Sequence, residues 1–122
     1  MSVIIISAAA VFFLGMGVYG LLMPAALIKP FRMVADTPEG RTEIRAVYGG
    51  FGVAIAILLV LAAADVEQIG HGVVTAVAVA LLGMAFGRLV ARAVERPSAF
   101  YPSWFYFWVE LLGGVALLFA AE

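Results

Sequence analysis

Glu110 is the most informative of the polar side chains in this sequence that could do chemistry. It is the single charged residue in the stretch 97–121, where its neighbours are apolar, glycine or aromatic. A carboxylate in such surroundings either forms a structural ion pair or holds a proton, an ion or the head group of a ligand. Both interpretations stay open, because two arginines elsewhere in the chain are candidate partners.

The candidate partners of Glu110 are Arg45 and Arg88, which lie near the ends of two other apolar stretches. Both are expected at the depth of Glu110, and long arginine side chains can close the remaining gap. Two further polar residues lie close to Arg45 along the chain. The sequence therefore predicts a buried polar cluster made of Glu43, Arg45, Tyr48, Arg88 and Glu110.

The elements that must position this cluster are membrane helices. Apolar residues make up 66% of the 122 residues, against about 45–50% in soluble domains. Each long apolar stretch can cross ~30 Å of hydrocarbon at ~1.5 Å per residue. We therefore predict one all-α, membrane-spanning four-helix bundle over residues 1–122, with helices at 3–23, 43–64, 72–91 and 103–121.

Several other classes of protein find no support in the residues. The chain has no Cys, which excludes disulfides and thiolate chemistry, and the single His71 is too little for a metal site. A net charge of −1 does not fit a nucleic-acid-binding face. The glycine spacing at 15–20 lies inside an apolar span with no strand before it, so it is not a dinucleotide fingerprint. We expect no metal and no cofactor, and no catalytic constellation is visible.

Small residues at helical spacing mark the faces by which the predicted helices pack. Such residues let backbones approach closely inside a membrane. A homodimer seam is the alternative use of the same stripes. The glycines expected to meet inside one bundle are Gly49, Gly52, Gly83, Gly87 and Gly114.

Two local patterns add to this outline. Thr37 followed by Pro38 is typical of a helix start, with the threonine as cap and the proline in the first turn. The aromatic run 104–108 fits an interfacial belt or core packing. A site for a flat apolar ligand is the alternative interpretation of the aromatic run.

One block of the sequence resembles a known family. Residues 43–50 read Glu-Ile-Arg-Ala-Val-Tyr-Gly-Gly, an E-x-R-A-x-Y-G-G block. Together with Gly87-Arg88 and Glu110, it resembles an uncharacterised bacterial family of small four-helix membrane proteins, which is similar to the DoxX-like group. The resemblance implies an inner-membrane protein and supplies no activity. Some DoxX-like proteins are linked to quinone-associated oxidoreductase complexes, so an accessory redox role is an analogy of fold.

Three functions are compatible with these features. The favoured one is a non-enzymatic binding or accessory subunit in the lipid bilayer, which engages a lipid, a quinone or another amphiphile through the Arg/Glu cluster. A homodimer and a larger membrane complex both stay open as its assembly. The alternative is a small proton-coupled transporter working as a dimer. Such exporters keep their key acid in the first helix, where this sequence has none. An enzyme is the least supported of the three.

The distribution of basic residues predicts the orientation in the membrane. The second connection, residues 65–71, has two acids and no Lys or Arg. Basic residues near helix ends stay in the cytoplasm, so both termini are expected in the periplasm. All basic residues lie in the first and third connections or at the helix ends beside them: Lys29, Arg32, Arg41, Arg45, Arg88, Arg92 and Arg96.

A reporter fused after Glu122 tests this orientation. Alkaline phosphatase is expected to be active there, because it folds in the periplasm, whereas a green fluorescent protein fused at the same position is expected to stay dark. A bright fluorescent fusion together with an inactive phosphatase fusion would contradict the assignment.

Overall fold

Helices account for nearly all of the chain in the computed structural model, which describes residues 2–95 and 100–122. Across these residues there are five helices and no strand, which confirms the predicted all-α class. Arg96, one of the basic residues used to predict the orientation, and Pro97, the first residue of the stretch 97–121, lie outside the described residues. The helices are α1 (Val3–Leu22), α2 (Pro24–Ile28), α3 (Pro38–Ala63), α4 (Gly70–Val94) and α5 (Phe105–Ala120).

Four of the helices are long and apolar enough to cross a membrane. These are α1, α3, α4 and α5, the last together with the turn that precedes it from Phe100. The bounds differ from the predicted ones mainly at the ends, because α3 begins at Pro38 and α4 continues to Val94. The chain is therefore a multi-pass membrane protein, with the short α2 inside its first connection.

The helix starts follow the local sequence signals. The Ser2 hydroxyl accepts a hydrogen bond from the backbone N–H of Ile5 at 3.3 Å, which caps α1. Thr37 accepts from the N–H of Gly40 at 3.0 Å, and Pro38 occupies the first turn of α3. The predicted Thr37 cap is confirmed. Each cap satisfies one backbone donor that a helix N-terminus otherwise leaves without a partner.

Contacts between the helix ends show an up-and-down bundle. At one end the Ser2 N–H donates to the Ala120 carbonyl at 3.2 Å, and His71 Nδ1 lies 2.9 Å from the Ala121 carbonyl oxygen. At the other end the rings of Phe31 and Tyr106 are 5.6 Å apart. We call this second end of the bundle, where Phe31 and Tyr106 meet, the basic end. The first connection and the start of α5 therefore lie at the same end of the bundle.

The tightest core lies nearer the opposite end from the basic end. The largest completely buried side chains are Ile6, Leu59, Val74 and Leu117, one from each spanning helix. Much of the remaining apolar surface faces outward, with Ile4 83% exposed. In a bilayer that exposure is favourable, because lipid tails are as apolar as the side chains they touch.

Glycines allow α1 and α3 to touch backbone to backbone. A Cβ added at Gly52 would lie 2.9 Å from the Cα of Gly17, and one at Gly17 would lie 2.6 Å from the backbone N of Val53. A Cβ added at Gly20 would lie 3.0 Å from the backbone N of Gly49. The α1–α3 crossing therefore depends on the absence of side chains at four positions.

The glycines predicted to pack on α4 and α5 differ in whether they contact another helix. A Cβ at Gly114 of α5 would lie 3.0 Å from the Ala78 carbonyl, so this glycine does lie at the α4–α5 contact. Gly83 and Gly87 are exposed, and a Cβ on either would meet nothing within 4 Å. They do not pack inside the chain as expected, because α4 turns its opposite face, with Ala78 and Leu81, to the core.

Substitution of Gly52 by valine is expected to lower the free energy of unfolding by about 3 kcal/mol, since the new side chain must push α1 away from α3. The measurement is unfolding in detergent followed by circular dichroism. Gly83→Val is the matched control, because it adds the same side chain in open space. Equal losses in the two variants would contradict the close crossing.

Candidate functional site

Glu110 and Arg88 form a two-pronged ion pair between α5 and α4. Arg88 Nε donates to Glu110 Oε1 at 2.7 Å, and Nη2 donates to Oε2 at 3.1 Å. Glu110 is 4% exposed. Among the residues that the structure describes, it is the only charged residue that is buried. Bidentate arginine–carboxylate pairs are the strong, geometrically specific form of ion pair. Both carboxylate oxygens are therefore satisfied within the chain.

The core-facing stripes of the two helices bring this pair together. Arg88 lies one turn after the buried Ala85 on α4, and Glu110 lies one turn after the buried Phe107 on α5. Gly114, one turn further along α5, keeps the two backbones close. Packing of small residues thus sets the distance that the salt bridge spans.

Two aromatic rings flank the guanidinium of Arg88. Its Cζ lies 6.0 Å from the centre of the Phe31 ring and 5.8 Å from that of Tyr106. Phe31 comes from the short 3₁₀ turn Lys29–Phe31 in the first connection. At these distances the rings attract the cation weakly through their π faces. We call the group of Phe31, Arg88, Tyr106 and Glu110 the Arg88 site.

The guanidinium of Arg88 still has an edge available. Its Nη1 makes no hydrogen bond with the described residues, and no buried side-chain nitrogen or oxygen among them lacks a partner. Nη1 is therefore accessible, in keeping with a side chain that is 24% exposed. The Arg88 site therefore combines a buried bidentate ion pair with an accessible N–H donor on Nη1.

Arg92 makes a second cationic contact one turn further along α4. Its Cζ lies 4.6 Å from the centre of the Trp104 ring. Trp104 stacks on Phe107 at 4.3 Å, with the two rings nearly parallel. Sequence reasoning missed this contact, as it missed Phe31. The available signal was the spacing of Arg88 and Arg92 four residues apart, followed by an aromatic run.

Arg45 does not reach Glu110. Its Nε donates instead to the Leu21 carbonyl at 3.0 Å, near the end of α1. The last carbonyls of a helix have no partner within it and carry partial negative charge, so a cation is stabilising there. The close α1–α3 crossing explains the difference, because it places the start of α3 beside that carbonyl.

Glu43 and Tyr48 also lie apart from the Arg88 site. Both are exposed, and Glu43 lines a shallow depression at the start of α3 together with Pro38 and Thr42. The predicted five-residue cluster therefore separates, and the structure brings together Arg88 and Glu110. Residues Arg45–Gly50 of the E-x-R-A-x-Y-G-G block form a π-helical stretch inside α3. Arg45 and Gly49 of this block make contacts with α1.

An apolar groove of about 380 Å³ lies between α1 and α5. Its walls include Ala9 and Phe13 from α1 and Val109, Gly113 and Ala116 from α5. Every residue that lines it is apolar or glycine.

No group of three or more metal-ligating side chains occurs in the part of the chain that is described.

Removal of either partner of the ion pair is expected to destabilise the fold, but unequally. Arg88→Gln leaves an almost fully buried carboxylate without a cation, at a cost of about 3–5 kcal/mol. Glu110→Gln is expected to cost less, because the partly exposed guanidinium of Arg88 can extend towards the interface. The measurement is the free energy of unfolding in detergent.

The double variant Arg88→Met with Glu110→Met is expected to recover most of that loss, since apolar side chains can replace a buried pair. Arg32→Gln is the control for the loss of one exposed arginine at the same end. A larger loss in Glu110→Gln than in Arg88→Gln would contradict the burial of the pair described above.

Comparison with known proteins gives a family but no activity. No curated protein and no solved structure matches the chain. A family model described as a domain of unknown function, DUF4345, matches residues 1–121. Since the match covers nearly the whole sequence, the four-helix chain with its Arg88–Glu110 pair belongs to the DUF4345 family.

Proposed function

We propose that this protein is a non-enzymatic binding or accessory subunit of the bacterial inner membrane, which holds the polar head of a lipid, a quinone or another amphiphile at the Arg88 site. The observation that carries the proposal is the accessible Nη1 of Arg88, beside a fork that Glu110 holds in place. The proposed orientation has both termini in the periplasm, which is supported by the distribution of the basic residues.

The chemistry of the guanidinium supports a head group with oxygen acceptors. Arginine has five N–H donors in a rigid plane, and the fork to Glu110 uses donors on Nε and Nη2. A phosphate, ester or ring carbonyl oxygen is the natural acceptor for the remaining edge. The rings of Phe31 and Tyr106 lie 6.0 Å and 5.8 Å from Cζ of the same guanidinium.

The alternative of proton-coupled transport has less support. An exchanging carboxylate needs access to its substrate, whereas both oxygens of Glu110 accept from Arg88 and the residue is 4% exposed. A dimer or a larger complex is compatible with the binding role. The DoxX-like relation, supported by the E-x-R-A-x-Y-G-G block, remains part of the proposal, and with it the accessory redox role by analogy of fold.

Native mass spectrometry of protein purified in a mild detergent tests the binding role. Wild-type protein is expected to retain a small molecule in about one-to-one ratio. Phe31→Leu is expected to reduce its occupancy several-fold, since it removes one wall without touching the ion pair, and Arg88→Gln is expected to abolish binding. Arg32→Gln is the matched control for the loss of one charge and should bind as the wild type does.

Wild-type protein that is folded and free of any bound small molecule would overturn the proposal. So would retention of the molecule at wild-type occupancy in folded Phe31→Leu and Arg88→Gln. Circular dichroism and size-exclusion chromatography of each variant establish that it is folded.

A further inference from the structure

Arg88 and Arg92 lie four residues apart on one face of α4, so their Cβ atoms are roughly 5–6 Å from one another. Arg88 donates to Glu110 of α5. The Arg92 guanidinium lies over the ring of Trp104, the residue before α5 begins. Helical side chains lean towards the helix N-terminus, so that of Arg92 leans back towards the turn that carries Arg88. The two cations therefore border one stretch of the α4–α5 interface.

No carboxylate among the described residues neutralises Arg92. All eight acidic residues of the chain belong to the described part, and none of them forms an ion pair with Arg92. Glu95 is the nearest of them along the chain, but α4 has ended there and its backbone is extended. The Trp104 ring attracts the cation without neutralising it. The charge of Arg92 is therefore available to a ligand.

The net charge of the two arginines and Glu110 selects among head groups. Arg88 and Glu110 cancel one another in their ion pair, which leaves the single positive charge of Arg92. A phosphodiester carries a single negative charge, whereas a phosphate monoester carries about −1.5 to −2. An oxidised quinone ring is uncharged and would leave Arg92 uncompensated. Among the head groups that the proposed function allows, charge therefore favours a phosphodiester.

The donors and the depth of the two arginines also suit a phosphate. Nη1 of Arg88 is accessible beside the ion pair, and Arg92 is exposed. Planar guanidinium groups match the spacing of phosphate oxygens. Arg92 lies ~6 Å further along the helix axis towards the basic end than Arg88 does. Tryptophans such as Trp104 are typical of the interface where lipid phosphates lie.

We infer that Arg88 and Arg92 together bind the phosphodiester group of a ligand, with one phosphate oxygen at Nη1 of Arg88 and another at the Arg92 guanidinium. This inference rests on the proposed binding function and names the head group of its ligand. Arg92 distinguishes a charged head from an uncharged one, because Glu110 already neutralises Arg88. Trp104 positions Arg92 through its ring.

Two lipids that differ in the phosphodiester test this inference by native mass spectrometry. The probes are phosphatidylglycerol and a diacylglycerol with the same acyl chains, each added in equimolar amount to protein in detergent. Wild-type protein is expected to prefer phosphatidylglycerol. Arg92→Gln is expected to lower its retention about tenfold and to abolish the preference, since a hydrogen bond to a charged group is worth about that factor or more. Arg32→Gln is the matched control and should behave as the wild type does.

Arg92→Lys is a second variant, which keeps the positive charge and gives up the planar donors. It is expected to bind less phosphatidylglycerol than the wild type and to keep the preference over diacylglycerol. Equal retention of the two lipids by folded Arg92→Lys would overturn charge as the basis of the selection. Circular dichroism of each variant establishes that it is folded, so the test stays decisive if Arg92→Gln folds poorly.

The soluble head group distinguishes two sources of the phosphodiester. Glycerophosphoglycerol carries the same phosphodiester as phosphatidylglycerol without acyl chains, and it is added in large excess to the protein–lipid complex. If phosphatidylglycerol stays bound, the two arginines serve a membrane phospholipid. If it is displaced, they serve a soluble phosphodiester. Either result supports a phosphodiester as the group that the two arginines bind.

The outcomes separate this inference from the proposed function. Loss of binding in Arg88→Gln, with wild-type retention of phosphatidylglycerol in folded Arg92→Gln, would overturn the joint role of the two arginines and leave the Arg88 site in place. Equal retention of phosphatidylglycerol and diacylglycerol by the wild type would do the same. A wild-type protein that retains neither these lipids nor any other small molecule would overturn both proposals.

Discussion

The ion pair between Arg88 and Glu110 is the interaction on which the interpretation of this protein depends. A carboxylate that is 4% exposed inside an apolar bundle is tolerated because the guanidinium satisfies both of its oxygens. That requirement fixes the rotation of α4 relative to α5 at the basic end. It also leaves Nη1 of the arginine accessible, and the proposed head-group site rests on that nitrogen.

The rest of the bundle supports this pair by close packing of backbones. In the membrane, helices gain little by hiding apolar surface, so contact depends on how near they approach. Gly17, Gly49 and Gly52 let α1 and α3 touch, while Gly114 does the same for α4 and α5. Between α1 and α5 the small residues instead border an open groove. Small residues thus allow close contact at the α1–α3 and α4–α5 interfaces, whereas between α1 and α5 they line a groove.

The helix spans, the Thr37 cap and the all-α class could be predicted because each depends on a short run of the chain. The partners of the charged residues were harder. Arg45 and Arg88 were equivalent candidates for Glu110, yet Arg45 binds the Leu21 carbonyl. The choice depends on which helix lies beside the start of α3, and spacing along one helix contains no information about that neighbour.

Apolar length, the placement of charges and one solitary carboxylate were enough to establish four spanning helices and to single out Glu110, since excluding charge from hydrocarbon constrains any linear sequence. The rotation of each helix and the identity of its neighbours are set by the tertiary structure. They decided that Gly83 and Gly87 face outward, that Phe31 joins Arg88 and that a groove separates α1 from α5. The physical reason is that pairing and packing depend on distances between helices, which arise when all four pack together.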